Sequence, residues 1–252
     1  HITSLDDPVT KYAPLLKGGA YDQSSVRNVL NMTTGVTFDE DYTDYDSDIN
    51  RMGRILAMGG QMDEFAAGLT ETFAAPGTDW QYVSIDTHVL GMVIRGATGR
   101  SVSDLMGAKI IAPLGLERTP YYLNDGSGVA FALGGLNMTT RDLARFGQMF
   151  VQGGMWQGKQ IVPQDWVLAS TTASAPTEPD EYGYGYQWWM PVDARPREYM
   201  GRGIYGQYLY INEPEEVVIV LTAADPDFRD DAIQRENLRW FRQITDTPQE
   251  GG

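Results

Sequence analysis

Residues 203–220 read GIYGQYLYINEPEEVVIV, and this stretch decides the class of fold. Residues 205–211 within it, and residues 217–222, which continue two residues past its end, are rich in aromatic and β-branched side chains, which favour extended strands. Residues 212–215 between them, Asn-Glu-Pro-Glu, are of types that favour a turn. The pattern predicts two strands joined as a β-hairpin close to the C-terminus.

A helix is expected directly after this hairpin, from about residue 230 to residue 244. Apolar side chains recur there at helical spacing, so one face of the helix is expected to pack against the sheet. We expect Ile233, Trp240, Phe241 and Ile244 to be the buried side chains of that face.

The chain before the aromatic run at residues 182–189 shows mainly helical patterns. An amphipathic helix that ends before Pro76 has its apolar face at Met62, Phe65, Ala66, Leu69 and Phe73. Further helix starts, each with a capping residue or a proline, are predicted at Ser25, Ser84, Ser101, Thr139 and Pro163. The predicted fold class is α+β in one domain, with a mainly helical lobe at about 1–181 and the hairpin and last helix at about 182–252.

The composition is that of a folded and acidic protein. Of the 252 residues, 42% are hydrophobic and 21% are charged, which is enough apolar material for a large core. Lys and Arg together number 19 and Asp and Glu number 34, so the net charge is −15. Such a surface repels nucleic-acid phosphates, and no apolar run approaches the ~18 residues of a membrane helix. We therefore expect neither nucleic-acid binding nor membrane insertion.

The chain has no cysteine, and its only histidines are His1 and His88. Disulfides, thiolate nucleophiles and cysteine-ligated metals are excluded, and a histidine-rich metal site cannot form. His88 lies beside Val89 on a predicted amphipathic helix, which favours a structural role over that of a catalytic base. We expect no metal and no cofactor.

Two stretches resemble binding motifs only in their letters. Residues 201–206 spell GxGxxG, but a predicted strand follows them where a dinucleotide site needs a helix. The acidic residues 44–48 resemble the start of a calcium-binding loop, but Ile49 stands where that loop needs its glycine. A solvated acidic loop is the favoured interpretation of the second stretch.

Four segments, in the same order along the chain, resemble the serine β-lactamase-like hydrolases, a family that includes penicillin-binding proteins, class C β-lactamases, esterases and 6-aminohexanoate-dimer hydrolase. They are ITSLDDPVTKYAPLL at 2–16, VRNVLNMTTGVTFDEDY at 26–42, GGLNMTTRDLARFGQMFVQGGMWQGKQIVPQDWV at 134–167 and the hairpin segment at 203–220. Glu40-Asp41-Tyr42 and the Gly-Ile-Tyr-Gly-Gln segment favour the 6-aminohexanoate-dimer hydrolase branch. The resemblance implies a helical lobe, an antiparallel sheet flanked by helices, and acyl transfer through a serine ester.

The resemblance also implies roles at the start of one predicted helix. The family's Tyr-x-Asn loop corresponds to Tyr82-Val83-Ser84, so Tyr82 is the candidate for the second base or proton shuttle. Ser84 stands in place of the family's asparagine and is a candidate substrate-binding residue. The competing interpretation is that Tyr82 only packs against its neighbours.

A second set of roles is implied near the predicted hairpin. The family's Lys-Thr-Gly strand motif corresponds to Gly201-Arg202-Gly203, which leaves the backbone N–H of Ile204 as the candidate oxyanion donor. Arg202 is a candidate for part of the substrate-binding role of the absent lysine. Because both the asparagine and the lysine of the family are absent, the resemblance favours an amidase or esterase over a β-lactamase.

Two aromatic residues are further candidates for substrate binding. Tyr42 resembles a tyrosine that contacts substrate in the 6-aminohexanoate-dimer hydrolases, although its acidic surroundings are equally consistent with a solvated loop. Trp189 is a candidate wall of the acyl pocket, and the alternative is that it fills the core.

The family's nucleophile motif, Ser-x-x-Lys, does not occur in this sequence. Residues Pro8, Pro14, Met106 and Trp156 precede the four lysines by three positions. Since the family carries the motif upstream of its LDDPV-like element, which begins here at Leu5, we expect the nucleophile in an N-terminal segment of the same protein before His1. The chain alone is then expected to be inactive and to expose apolar surface and an unpaired sheet edge.

The sequence therefore predicts a serine hydrolase that acts on a small amide or ester, with its Ser and Lys supplied from upstream. A broad carboxylesterase is one alternative, and a non-catalytic ligand-binding or cell-wall-peptide-sensing relative is another. The first residues carry no targeting signal that can be interpreted. The resemblance favours a bacterial periplasmic or secreted location over the cytoplasm.

Overall fold

The computed structural model of the protein describes residues 1–247. Within that range the helices are α1 Val26–Leu30, α2 Asp48–Ala57, α3 Met62–Ala67, α4 Ser84–Thr98, α5 Val102–Met106, α6 Ala112–Leu114, α7 Thr140–Val151, α8 Gln164–Ser170 and α9 Asp231–Thr245. The strands are β1 Tyr121–Tyr122, β2 Leu136–Asn137, β3 Met155–Trp156, β4 Lys159–Gln160, β5 Gly183–Gly185, β6 Trp188–Met190, β7 Glu198–Gly203, β8 Gln207–Asn212 and β9 Val217–Leu221. Short 3-10 turns occupy Val9–Lys11 and Pro14–Leu16, and a π-helical turn, Gly107–Ile111, joins α5 to α6.

The last five strands form one antiparallel sheet in the order β5-β6-β7-β8-β9. The predicted hairpin is confirmed as β8 and β9, and its register pairs Tyr210 with Ile219. The first predicted strand begins later than expected, at Gln207, because Tyr205 and Gly206 adopt positive φ angles and belong to the preceding turn. The α+β prediction is confirmed.

Helices cover both faces of this sheet. Side chains alternate between the faces along each strand, so one strand can pack against a helix on either side. Leu209 and Ile211 face one way and pack in a cluster with Phe150 of α7. Tyr208 and Tyr210 face the other way and pack against Phe241 of α9. The sheet is thus the middle layer of the C-terminal part of the chain.

The helical part has its own core, which is built mainly around α4. Val26 and Val29 of α1 and Ile85, Val89 and Met92 of α4 belong to one buried cluster. No helix among the described residues is both long enough and apolar enough to span a membrane.

Three of the predicted helix caps are confirmed. Ser25 accepts a hydrogen bond from the Asn28 backbone N–H in a capping box, and Ser101 and Thr139 accept from the third residue of their helices. At the other end of α4, Gly99 has a φ of 67°, the left-handed conformation that closes many helices.

Several local predictions are wrong. The helix that begins at Met62 ends at Ala67, so Phe73 lies beyond it and is 47% exposed. Ser84 is the first residue of α4 and not its cap, because its side chain binds a carboxylate elsewhere. Pro163 caps α8 and does not begin it. Helix α2 was not predicted, since the acidic stretch before it dominates the pattern.

The C-terminal helix lies where it is expected, with Asp230 as its cap, but its buried face differs from the prediction. Phe241 is buried, whereas Trp240 and Ile244 are each 49% exposed and Ile233 is half-buried. Strand β9 is an edge of the sheet, and all five of its residues are half-buried. The outer side of α9 and the free edge of β9 therefore leave apolar surface uncovered in the described part of the chain.

Candidate functional site

A cavity of about 800 Å³ is lined both by the segment that leads into α4 and by strands β6 and β7. Its lining includes every residue that the sequence singled out for catalysis or substrate binding: Tyr42, Tyr82, Ser84, Trp189, Arg202 and Ile204. A cavity of this size suits a small-molecule substrate. Residues more than 160 positions apart in the sequence thus converge on one site.

Tyr82 lies just before α4, on the wall of the cavity. Its ring packs against Trp189 with 5.3 Å between ring centroids, in a tilted arrangement. Burial raises the pKa of the Tyr82 phenol well above its usual range, and the nearby Glu40 carboxylate raises it further. The phenol therefore keeps its proton at neutral pH and is able to donate it.

Buried Ser84 and half-buried Glu40 form a hydrogen-bonded pair beside Tyr82. The backbone N–H of Ser84 donates to Glu40 Oε1 at 2.6 Å, and its hydroxyl donates to Oε2 at 3.0 Å. Burial raises the pKa of the Glu40 carboxyl, although the two bonds from Ser84 act in the opposite direction. Glu40 was not singled out as a site residue, although it belongs to the Glu-Asp-Tyr element that the sequence analysis noted.

Trp189 is the centre of an aromatic cluster. Its ring lies 5.0 to 6.1 Å from the rings of Trp80, Tyr82, Tyr182 and Tyr184. Tyr184 is fully buried, whereas Trp189 is half-buried and borders the cavity. Trp189 thus lines the cavity and also packs against the core.

Arg202 on β7 extends the same cluster with a positive charge. Its guanidinium lies 4.6 Å from the centroid of the Tyr182 ring and 4.9 Å from that of Trp189. At these distances the guanidinium has a cation–π attraction to each of the two rings. Within residues 1–247 the guanidinium makes no ion pair, so its charge faces the cavity without a carboxylate partner.

Ile204 lies in the turn between β7 and β8, one residue past the strand to which its predicted role was assigned. The last ladder pair joins Gly203 to Gln207, and Tyr205 and Gly206 complete the turn with φ angles of 60° and 81°. The turn is braced from outside by the Asp225 backbone N–H, which donates to the Tyr205 carbonyl at 3.2 Å. The Ile204 N–H is thus in a braced turn at the cavity.

Tyr42, together with Phe228 and Arg229 from the segment after β9, forms another part of the cavity lining. The Phe228 ring meets the rings of Tyr42 and Tyr205 edge-on, at 5.8 and 5.5 Å. The Arg229 guanidinium lies 5.5 Å from the Tyr42 ring, and it donates to the backbone carbonyl of Glu40 at 2.6 Å. Phe228 and Arg229 were missed, because nothing in the local sequence pattern brings them to residues 40–42.

In the acidic loop at residues 39–48, several carboxylates accept hydrogen bonds from the backbone of the same loop. The side chains of Asp39, Asp41 and Asp44 each accept a hydrogen bond from a backbone N–H two residues further along. Such turns are typical of aspartate-rich loops. Tyr42 lies within this loop but is half-buried and faces the cavity, and burial raises the pKa of its phenol.

Two buried titratable residues of α4 lie outside the cavity lining. His88 is 1% exposed, and its Nε2 lies 2.8 Å from Asp63 Oδ1, so the structural interpretation of this histidine is supported. Asp86 is fully buried and accepts hydrogen bonds from the hydroxyls of Tyr21 and Thr34. Burial raises the pKa of Asp86 to about 8.

Comparison with known proteins shows which proteins this chain is similar to. The family model described as Beta-lactamase matches residues 2–240. The 6-aminohexanoate-dimer hydrolase of Paenarthrobacter ureafaciens is 34% identical over 234 residues, which are 87% of this chain and 59% of that protein. The chain therefore spans less than two thirds of the length of this relative.

Solved structures share the fold. A protein designated "Putative 6-aminohexanoate-dimer hydrolase from Bacillus anthracis" superimposes with a TM-score of 0.81 at 24% identity, over 98% of this chain and 68% of that one. The octameric penicillin-binding protein homologue from Pyrococcus abyssi gives a TM-score of 0.65 at 21% identity, over 95% of this chain and 60% of that one. The helices and antiparallel sheet described above are thus a known arrangement.

Proposed function

The chain belongs to the beta-lactamase family, and we propose that it forms the larger part of a serine hydrolase that cleaves a small amide or ester through an acyl-enzyme. The observation that carries the proposal is the single cavity that Tyr82, Ile204, Arg202 and Trp189 line together. Acyl transfer needs a proton carrier and an oxyanion donor on either side of one reacting carbonyl. Tyr82 and Ile204 come from different parts of the fold and supply these two kinds of group.

Tyr82 has the proton-transfer role in this proposal. Its raised pKa supports a phenol that donates a proton to the leaving amine or alcohol. A phenolate that accepts the proton of the nucleophile needs a nearby cation to lower that pKa. The lysine of a Ser-x-x-Lys motif is a cation of the required kind.

The nucleophilic serine and that lysine are proposed to come from a segment upstream of this chain. The printed sequence contains no Ser-x-x-Lys, and the curated relative is substantially longer than this chain. The free edge of β9 and the exposed Trp240 and Ile244 on α9 support a further segment that packs there. An unpaired apolar edge strand is normally covered in a folded protein.

The substrate is proposed to be a linear amide, and the candidate is the compound in the relative's name, a dimer of 6-aminohexanoate. The family residues that favour a β-lactam are replaced here by Ser84 and Arg202. An ester is the alternative substrate, because the same acyl-enzyme chemistry cleaves both.

The test uses the complete protein, including the upstream segment. We expect hydrolysis of the 6-aminohexanoate linear dimer or of a p-nitrophenyl ester, and mass spectrometry should find an acyl group on a serine that precedes His1. The relative rates on the two substrates distinguish an amidase from a carboxylesterase. Binding of either compound without turnover would support the non-catalytic alternative, and an acyl group on a serine of residues 1–252 would contradict the assignment of the nucleophile.

A further inference from the structure

The hairpin between β5 and β6 turns through two residues with unfavourable backbone conformations. Tyr186 and Gln187 have φ angles of 23° and 75°, between the paired residues Gly185 and Trp188. Two-residue turns of this kind usually contain Asn or Gly, because other side chains are strained at positive φ. Such a conformation persists only where the surrounding structure holds it in place.

The Gln187 side chain joins this turn to two helices of the helical lobe. Its Oε1 accepts a hydrogen bond from Thr87 Oγ1 of α4 at 2.6 Å. Its Nε2 donates to the carbonyl oxygens of Val29 and Leu30 at 3.4 and 3.3 Å. Those carbonyls lie in the last turn of α1, where the Val29 carbonyl also accepts from the Met32 backbone N–H at 3.3 Å. One amide group thus caps α1 and binds α4.

Neighbouring contacts hold the same turn on the helical lobe. The backbone N–H of Gln187 donates to the Leu30 carbonyl at 3.1 Å, and that of Tyr186 donates to Asn31 Oδ1 at 3.3 Å. Arg27 donates to the Tyr186 hydroxyl at 2.5 Å. The turn is therefore fixed to the end of α1 through both its backbone and its side chains.

The bond between Thr87 and Gln187 and the contact between Tyr82 and Trp189 join the same two segments of the chain. Thr87 follows Tyr82 by five residues and lies in the first turn of α4, and Trp189 follows Gln187 by two residues. Within residues 1–247 no other hydrogen bond joins a side chain of α4 to the five-stranded sheet. This bond therefore links α4, which begins two residues after Tyr82, to the β5–β6 hairpin of the sheet whose strand β7 leads to Ile204.

We propose that Gln187 is a positioning residue for the hydrolytic site, an inference that rests on the proposed function. It sets how the Tyr82 side of the cavity faces the Trp189 and Ile204 side. Misplacing a reacting group by about 1 Å can cost on the order of 10²-fold in rate. We expect loss of this side chain to lower kcat by about 10-fold or more. KM should change by less than about 3-fold, since Gln187 does not line the cavity and every residue that lines it is kept.

The experiment uses four variants of the complete protein, each changed at one side chain that makes a hydrogen bond to or from the sheet. Gln187→Met keeps the length of the side chain and removes its amide. Tyr210→Phe is the matched control, because it removes a buried hydroxyl that donates to Glu198 at 2.7 Å on the α9 side of the sheet. Thr87→Val removes the partner hydroxyl and Thr87→Ser restores it, so the test does not depend on the folding of Gln187→Met.

Support requires that Gln187→Met and Thr87→Val lower kcat, that Thr87→Ser restores it, and that Tyr210→Phe leaves kcat unchanged at a comparable loss of Tm. Equal losses of kcat in Tyr210→Phe would overturn the proposal, as would unchanged kcat in Thr87→Val. If the wild-type protein hydrolyses nothing, the proposed function fails separately. A crystal structure of Gln187→Met then decides on Gln187, because an unchanged spacing of 5.3 Å between Tyr82 and Trp189 would refute a positioning role.

Discussion

The two walls of the cavity are held in place by different kinds of interaction. On the helical side, Ser84 donates two hydrogen bonds to the half-buried carboxylate of Glu40. On the sheet side, Trp189 and Arg202 are held by edge-on contacts between aromatic rings and by cation–π contacts. Hydrogen bonds depend on individual polar atoms, whereas ring packing depends on the shape of whole rings. Removing one hydroxyl should therefore matter on the first wall and hardly at all on the second.

Tyr82 lies between the two walls, and its hydroxyl is the group for which we expect the largest effect. Tyr82→Phe keeps the ring that packs on Trp189 and removes only the proton carrier. General acid–base help is typically worth 10²–10⁴-fold, so kcat of the complete protein should fall by roughly that factor. Steady-state kinetics and a thermal melt check this together. Unchanged kcat would mean that Tyr82 only packs against Trp189.

The stability of the helical side should depend on pH through Asp86. Its pKa is raised to about 8 in the folded protein, from the ordinary value of about 4 in an unfolded chain. The folded state thus binds the proton more tightly. The contribution of Asp86 to the free energy of unfolding is therefore complete below about pH 4, and it is lost as the pH rises through about 8. Asp86→Asn stays neutral and should remove this fall.

Urea denaturation between pH 4 and pH 9 checks the Asp86 prediction. The variant should be more stable than the wild type at pH 8 and above. This change of stability should be larger than those expected for Ser84→Ala and Tyr182→Phe. An identical pH dependence in both proteins would show that Asp86 does not titrate in this range. Thr34 and Tyr21, which donate to Asp86, retain an acceptor in the asparagine side chain.

A matched pair of smaller changes tests the contrast between the walls most simply. Ser84→Ala and Tyr182→Phe each remove one hydroxyl. We expect Ser84→Ala to lower the free energy of unfolding by about 1–3 kcal/mol, because the half-buried and charged Glu40 carboxylate loses a hydrogen bond. Tyr182→Phe keeps the ring under Arg202 and should change it by less than about 0.5 kcal/mol. Equal losses in urea denaturation would remove the distinction between the walls.

The sequence predicted what depends on short-range patterns. The caps at Ser25, Ser101 and Thr139 depend on residues three positions apart, and the β8–β9 hairpin depends on a single turn. The resemblance to a family supplied the candidate residues of the cavity. Periodicity failed at Trp240 and Ile244, because an apolar residue at helical spacing does not reveal which side of the helix faces the sheet.

The parts of the site that escaped prediction depend on distant contacts. Arg229 and Glu40 are 189 residues apart in the sequence and meet only in the folded chain. Gln187 looks like an ordinary polar turn residue until the end of α1 is placed beside it. Ile204 was assigned to a strand, because its positive-φ neighbours Tyr205 and Gly206 could not be inferred from β propensity.

The most direct test of the hydrolase assignment is a crystal structure of the complete protein with a boronate bound as a transition-state mimic. We expect a bond from boron to a serine upstream of His1 and a boronate oxygen about 2.7–3.1 Å from the backbone nitrogen of Ile204. The Tyr82 hydroxyl should lie within hydrogen-bond reach of a second boronate oxygen. Boron bonded to the upstream serine with its oxygens turned away from Ile204 and Tyr82 would contradict the roles assigned to both residues.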